Sequence, residues 1–201
     1  MEYKIEYVSP ESGQVAVQIA RNSLELFVRE RTLYEPNFDQ LPGVLHEKGA
    51  CFITLTHNGF LRGCMGHTNA QYPLAEDVAR NATAAARDFR FSPVVVEELA
   101  GIRLEVTILS PLIQMSYADF KDLEKQLRPQ IDGVMLTWQA KRGLLLPQVW
   151  RRVPNPGDFL EAITVKAGIP TRELKAHPPT ITVHSFQVQH FAESGYREPG
   201  S

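Results

Sequence analysis

Arg62, Cys64 and His67 fall within six positions of the segment Asn58-Gly59-Phe60-Leu61-Arg62-Gly63-Cys64-Met65-Gly66-His67, and glycines stand on both sides of the thiol. A thiolate forms more readily beside a cation, so this spacing suits a nucleophilic or ligand-gripping Cys64 whose proton is released under the influence of Arg62 or a protonated His67. Glycine weakens a strand unless the backbone turns tightly or something approaches closely. Gly63 and Gly66 therefore point to a shaped pocket. The plainer reading is that a free cysteine packs as a small hydrophobe. His67 has three readings: a general base, half of a Cys-x-x-His metal pair, or a histidine facing solvent after a strand.

The elements that position these residues are legible. Cys51-Phe52-Ile53-Thr54-Leu55-Thr56 is rich in β-formers, and Asn58-Gly59 is a strong hairpin signal. With a two-residue loop, His57 faces Phe60, Leu55 faces Arg62 and Ile53 faces Cys64. A three-residue loop shifts these partners by one. In the two-residue register Cys51, Ile53, Leu55, Arg62 and Cys64 share one face. Arg62 then needs a partner on an apolar face: Glu105, a bound anion, or the Cys64 thiolate. Cys51 and Cys64 become diagonal neighbours about 7–8 Å apart, beyond the usual disulfide span, so two free thiols are expected.

Elsewhere, Ser9-Pro10 reads as the start of a helix running to about Arg31, followed by a long loop from Glu35 to Gly49. Pro73 to Arg87 is a helix with alanines along one side. Ser92-Pro93 caps a short helix through Leu99. Ile102, Leu104, Val106 and Ile108 alternate with polar residues, as in a half-buried strand. Ser116 starts a helix, residues 134–138 and 144–146 form a second hairpin, and Asp158 caps a helix ending at Gly168. Thr180 to Phe191 is a closing strand, and residues 194–201 form a polar, flexible tail. Strands and helices mix without βαβ alternation, which favours α+β with antiparallel sheets and flanking helices.

Composition narrows the function classes. At 201 residues with 43% hydrophobic content the chain can bury a core unaided. A net charge of −2 provides no global field for nucleic acid, and the basic pairs Lys141-Arg142 and Arg151-Arg152 are too sparse to suggest it. The first residues lack the pattern of a secretory signal, and no apolar run approaches membrane-helix length; a cytoplasmic location is the default. Two cysteines are too few for a structural zinc site, and no HExxH-type pair of ligands is present, so no metal or cofactor is assigned. Asp132 before Gly133 is a turn former, and Gln148 a candidate polar contact in Leu144-Leu145-Leu146-Pro147-Gln148-Val149.

Gly59-Phe60-Leu61-Arg62-Gly63-Cys64-Met65-Gly66 resembles the signature of the AMMECR family, named after a human chromosomal-region protein. The resemblance extends through Asp88-Phe89-Arg90-Phe91-Ser92-Pro93, Leu104-Glu105-Val106-Thr107-Ile108-Leu109-Ser110, Leu145-Leu146-Pro147-Gln148-Val149, Asp158-Phe159-Leu160 and Lys166-Ala167-Gly168. Phe89 stands where the family usually has proline, and Asp132-Gly133 where a His-Gly pair is common. The resemblance implies a single two-lobed α+β domain over residues 9–193, with the signature near the cleft between lobes. In bacteria and archaea, members often accompany a Memo-family protein and a radical S-adenosylmethionine protein. The activity of the family is unsettled.

Two functions follow as expectations. In the first, Cys64 is a covalent or acid/base group of a small-ligand enzyme or enzyme component. Arg62 and the N–H groups around Gly63 and Gly66 hold an anionic group, Glu105 orients Arg62, and His67 assists. In the second, the chain is a noncatalytic binding module for a small molecule or a Memo-like or radical S-adenosylmethionine partner, and Cys64 only packs. The charge balance lends little support to a nucleic-acid role.

Overall fold

The structure, a computed structural model, describes residues 7–176 and 179–199. The expected tail therefore runs past the described residues at Gly200 and Ser201. The fold is α+β, with two antiparallel sheets, and the chain divides into two compact units. Of the described residues, the larger comprises 7–109 with 189–199, and the smaller 110–176 with 179–188. Among the described residues no helix is long and apolar enough to cross a membrane.

In the larger unit, α1 (Pro10–Glu30) starts where Ser9 accepts a hydrogen bond from the Ser12 N–H, with Pro10 in the first turn. Its apolar stripe (Ala16, Ile19, Ala20, Leu24, Phe27) is buried. The long loop contains two 3₁₀ turns, Phe38–Gln40 and Gly43–Leu45. The hairpin β1 (Lys48–His57) and β2 (Phe60–Gly66) follows; Asn58 and Gly59 have φ of 53° and 81°, as a tight two-residue turn requires. After the short β3 (Tyr72–Pro73) comes α2 (Leu74–Ala85), whose alanines let it lie close to both β1 and α1. The stretch after Ser92-Pro93, expected as a helix, forms only a 3₁₀ turn at Val96–Glu98. There Glu98 accepts from the Val95 N–H and from Arg62. Then β4 (Ile102–Leu109) pairs with β1.

The smaller unit holds β5 (Ile113–Gln114), α3 (Phe120–Gln126), β6 (Gly133–Trp138), β7 (Lys141–Leu145), α4 (Pro156–Ala167), α5 (Thr171–Leu174) and β8 (Thr182–Phe186). Two helix starts differ from expectation because better caps lie nearby. Asp119, not Ser116, accepts the first-turn N–H of α3, and Asn155, not Asp158, caps α4, with Pro156 behind it. Gly168 ends α4 in the left-handed region as expected. The core centres on Trp150, stacked on Phe159 at 3.7 Å, its indole N–H donating to the Asp132 carbonyl at 2.6 Å.

The closing strand expected over 180–191 is two strands, because the chain changes sheets at Gln187. β8 lies between β5 and β6, while β9 (Val188–Ala192) joins the larger sheet in the order β2-β1-β4-β9, with β3 alongside β1. One face of that sheet is apolar core: Ile53, Leu55, Leu104 and Val106 are fully buried and cluster with residues of α1 and α2. The opposite face carries Thr54, Glu105 and His190.

Candidate functional site

The two-residue turn aligns His57 with Phe60 and Thr56 with Leu61, as expected, but Leu55 then pairs with Gly63. Arg62 is therefore the extra residue of a β-bulge, and beyond it every partner shifts by one. Cys64 pairs with Thr54 rather than Ile53, and Met65 with Ile53. A one-residue shift turns a side chain to the other face of a sheet. Cys64 thus leaves the core face occupied by Cys51, Ile53 and Leu55 and lies on the polar face, its Sγ 3.5 Å from Thr54 Oγ1. Both thiols are free, as expected, but because they point to opposite faces and not because of a long diagonal.

The bulge also explains the glycines. A Cβ on Gly63 would lie 2.2 Å from the Ala85 carbonyl oxygen at the end of α2. A Cβ on Gly66 would lie 2.4 Å from the Cys51 carbonyl oxygen and from the Phe52 ring. Both positions are small because backbone and ring approach them.

Arg62 has a partner other than those expected. Its Nε and Nη2 donate to Glu98 at 2.6 and 2.9 Å, and both side chains are largely buried (15% and 22% exposed). Glu105 does not orient Arg62; it sits across β1 from Cys64, and the bulge has removed Arg62 from that row. The Arg62 hydrogen bonds, aided by the Val95 N–H and the charges of Arg62 and His57, outweigh burial and hold the Glu98 carboxyl below its ordinary value of 4.5. A depressed carboxyl pKa contributes stability that is present above the unfolded value and lost as pH falls through the folded value. Glu98→Gln is therefore expected to cost about 2 kcal/mol at pH 7. The gap to the parent should narrow as pH falls below 4.5. Urea titrations at pH 7, 5 and 3 measure it; a gap that does not change with pH contradicts the assignment.

Around Cys64 the polar groups converge from four segments. The Cys64 N–H donates to Asp88 Oδ2 at 2.9 Å, and the Cys64 carbonyl accepts from Arg90 at 3.3 Å. Asp88 and Arg90 are themselves ion-paired. Arg90 first, then the Cys64 and Arg90 N–H groups, holds the fully buried Asp88 carboxylate far below the usual range. This side-chain clasp satisfies the outer edge of β2 where a further strand would pair. On β1, Thr54 pairs with Cys64 on one side and Glu105 on the other. Glu105 Oε1, Thr107 Oγ1 and His190 Nδ1 lie within 3.1–3.2 Å of one another. Burial first, then the carboxylates of Glu105 and Glu198 and Cys64, pushes the Tyr196 hydroxyl well up.

His67 points the other way. Its Nδ1 is 2.9 Å from Oδ1 of Asp77, whose side chain is fully buried in α2. Asp77 Oδ2 also accepts from the Cys51 N–H at 3.0 Å and from Asn81 Nδ2 at 2.9 Å. The His67 ring is about half exposed, 51%, on the helix-covered side of the sheet. Cys51 lies fully buried beside Asp77, and burial first, then that carboxylate, pushes its thiol well up. Cys51 is an inert core residue.

Of the candidate residues, the structure brings Cys64 and Glu105 to one face. It places Arg62 with Glu98, His67 with Asp77, and Gly63 and Gly66 under packing contacts. Gln148 belongs to the smaller unit, where its Oε1 is buried without a hydrogen-bond partner. No sequence pattern singles out His190, which enters only because β9 joins the sheet beside β4. Thr54 was findable: a threonine between Ile53 and Leu55 marks the face away from the core. Among the described residues no cluster of three or more His, Cys, Asp or Glu could hold a metal ion.

Comparison with known proteins places this arrangement. A protein of Methanothermobacter thermautotrophicus is 35% identical over 195 residues, covering 94% of this chain and 97% of that one. A protein of Methanosarcina barkeri is 36% identical over 187 residues, covering 90% of each. The crystal structure of an uncharacterised protein from Pyrococcus horikoshii superposes with a TM-score of 0.84 at 29% identity, covering 96% of this chain and 97% of that one. The AMMECR1 family model matches residues 17–191, spanning both the hairpin that carries Cys64 and the strand that carries His190. The chain belongs to the AMMECR1 family.

Proposed function

We propose that the chain is a small-ligand enzyme or enzyme component in which Cys64 is the covalent or acid/base group. A single observation carries this reading: the bulge at Arg62 turns a half-buried thiol onto a polar sheet face, in one row with Thr54 and the Glu105–His190 pair. Cys64 and Glu105 are two strand spacings apart, about 10 Å. Glu105 therefore acts on a ligand lying over Thr54, not on the thiol directly.

The electrostatics favour one class of ligand. Arg62 is occupied by Glu98 and the Cys64 N–H by Asp88, so the groups first expected to hold an anion are already engaged. The row instead offers acceptors, Glu105 and Thr54, to a ligand that is cationic or rich in hydrogen-bond donors.

A panel of small chloroacetamides of matched intrinsic reactivity, differing only in a cationic, neutral or anionic appendage, tests this. Relative to a model thiol, Cys64 is expected to prefer the cationic member by about tenfold, and Glu105→Gln to abolish the preference. Cys64→Ser gives the labelling blank. Reaction of Cys64 with every member in the ratios of a free model thiol removes the enzyme reading.

The second reading, a binding module acting beside a Memo-like or radical S-adenosylmethionine partner, draws support from Gly63, Gly66 and Arg62 serving packing. Under it the panel shows no preference that depends on Glu105.

A further inference from the structure

We propose that the cavity between α2 and the segment 33–38 is a second ligand site, and that it takes a small molecule with a single-ring apolar body and a cationic amine head. The cavity shares no residue with the Cys64 row, so the two assignments stand independently.

The space exists because one face of α2 carries short side chains. Glu76, Ala79, Arg80 and Thr83 fall at i, i+3, i+4 and i+7 of that helix and line a cavity of about 390 Å3. Ala79 and Thr83 are 4% and 3% exposed and too short to fill it. The remaining wall is Leu33, Tyr34, Pro36 and Phe38. Tyr34 and Phe38 pack half-buried against the core of the larger unit, which anchors that wall, and Leu33, 61% exposed, adds an apolar lip. The volume lies near the lower end of ligand pockets, about 300–1,000 Å3, and suits one ring.

The polar groups set the class of ligand. A threonine inside a helix ordinarily returns its hydroxyl to a carbonyl of the preceding turn. Thr83 makes no such bond, and among the described residues its hydroxyl has no partner, although the residue is almost wholly buried. A hydroxyl held this way carries a desolvation cost that a hydrogen-bonding ligand offsets. Arg80 is already engaged: its Nε donates to Glu76 at 2.8 Å, and its guanidinium lies 4.4 Å over the Tyr72 ring. Glu35 also lines the cavity, is exposed, and among the described residues pairs with no cation. Two carboxylates against one guanidinium leave the lining net negative, which repels an anion and attracts an ammonium group.

Three probes that share one ring and differ in the head test the site: 2-phenylethylamine, 2-phenylethanol and phenylacetate. Each is titrated into the full chain and read by NMR on the methyl signals of Ala79 and Thr83. The amine is expected to shift both signals with a saturable, millimolar midpoint, the alcohol to bind about fivefold more weakly, and the acid at least about tenfold more weakly. Glu35→Gln, at an exposed residue, should bring the amine to the level of the alcohol. Thr83→Val, which keeps the shape and removes the hydroxyl, should weaken amine and alcohol alike by about threefold, read at Ala79. Unchanged methyl signals elsewhere in each variant report an intact fold. No saturable shift with the amine, or an acid bound as tightly as the amine, overturns the proposal. An amine preference that survives Glu35→Gln overturns the assignment of the charge.

Discussion

Asp77→Ala is expected to lower stability by about 3–5 kcal/mol and the thermal midpoint by roughly 10 °C, a large effect for one α2 side chain. The carboxylate is fully buried, and four donors depend on it: the Cys51 N–H and thiol, Asn81 Nδ2 and His67 Nδ1. Alanine leaves the buried Cys51 N–H without an acceptor and Asn81 Nδ2 with only the Cys51 carbonyl and sulfur, and the lost partners carry a desolvation cost. The contact also crosses elements, joining the first half of β1 to α2, so its loss loosens the helix over the sheet. Asp77→Asn should cost about half as much: its oxygen still serves Cys51 and Asn81, while His67 changes tautomer and accepts from the new amide. His67→Ala, at a half-exposed ring, should cost about 1 kcal/mol or less. Urea and thermal unfolding of the three variants measure this order. An Asp77→Ala protein within about 1 kcal/mol of the parent contradicts a structural role for the buried carboxylate.

Gly63→Ala tests why the thiol is flanked by glycine. The added methyl carbon meets the Ala85 carbonyl oxygen at 2.2 Å, and that atom is backbone at the end of α2. Relief requires moving the helix end or the strand, so a loss of about 3 kcal/mol is expected. Two glycines separate the possible causes. Gly59 has open space around it but φ 81°, so Gly59→Ala should cost about 1 kcal/mol through conformation alone. Gly43 has neither constraint, and Gly43→Ala should be nearly neutral. Chemical unfolding of the three variants side by side decides the matter. If Gly63→Ala is tolerated as well as Gly43→Ala, the close approach of α2 is not what requires the glycine. The Cys64 N–H, bonded to Asp88, is carried by the next residue, so a strand displaced by alanine should also loosen that clasp.

Much of the fold was legible because its signals are local. Ser9-Pro10 starts a helix by supplying an acceptor and a preset φ, Asn58-Gly59 turns a hairpin by tolerating positive φ, and the alternation through Ile102–Ile108 marks a half-buried strand. Misplaced boundaries came from competition between neighbouring caps, as at Asn155 and Asp158, which sequence spacing ranks poorly. The division of residues 180–191 between two sheets depends on which edges are free to pair, and those edges are built by β4 and β6, far away in the chain.

The candidate site divides along the same line. Its segment was visible from residue types alone, since a thiol, a cation and an imidazole among glycines stand out. Their arrangement was not visible, because one bulged residue decides which face each side chain takes. That bulge is held by contacts distant in sequence: Glu98 gripping Arg62 from 36 residues away, and the end of α2 pressing on Gly63. The α+β class, the hairpin and the family signature follow from residue order alone, since periodicity, caps and turns act over a few residues. That Cys64 keeps company with Thr54, Glu105 and His190 is set by the fold, because long-range contacts select the register and register selects the face.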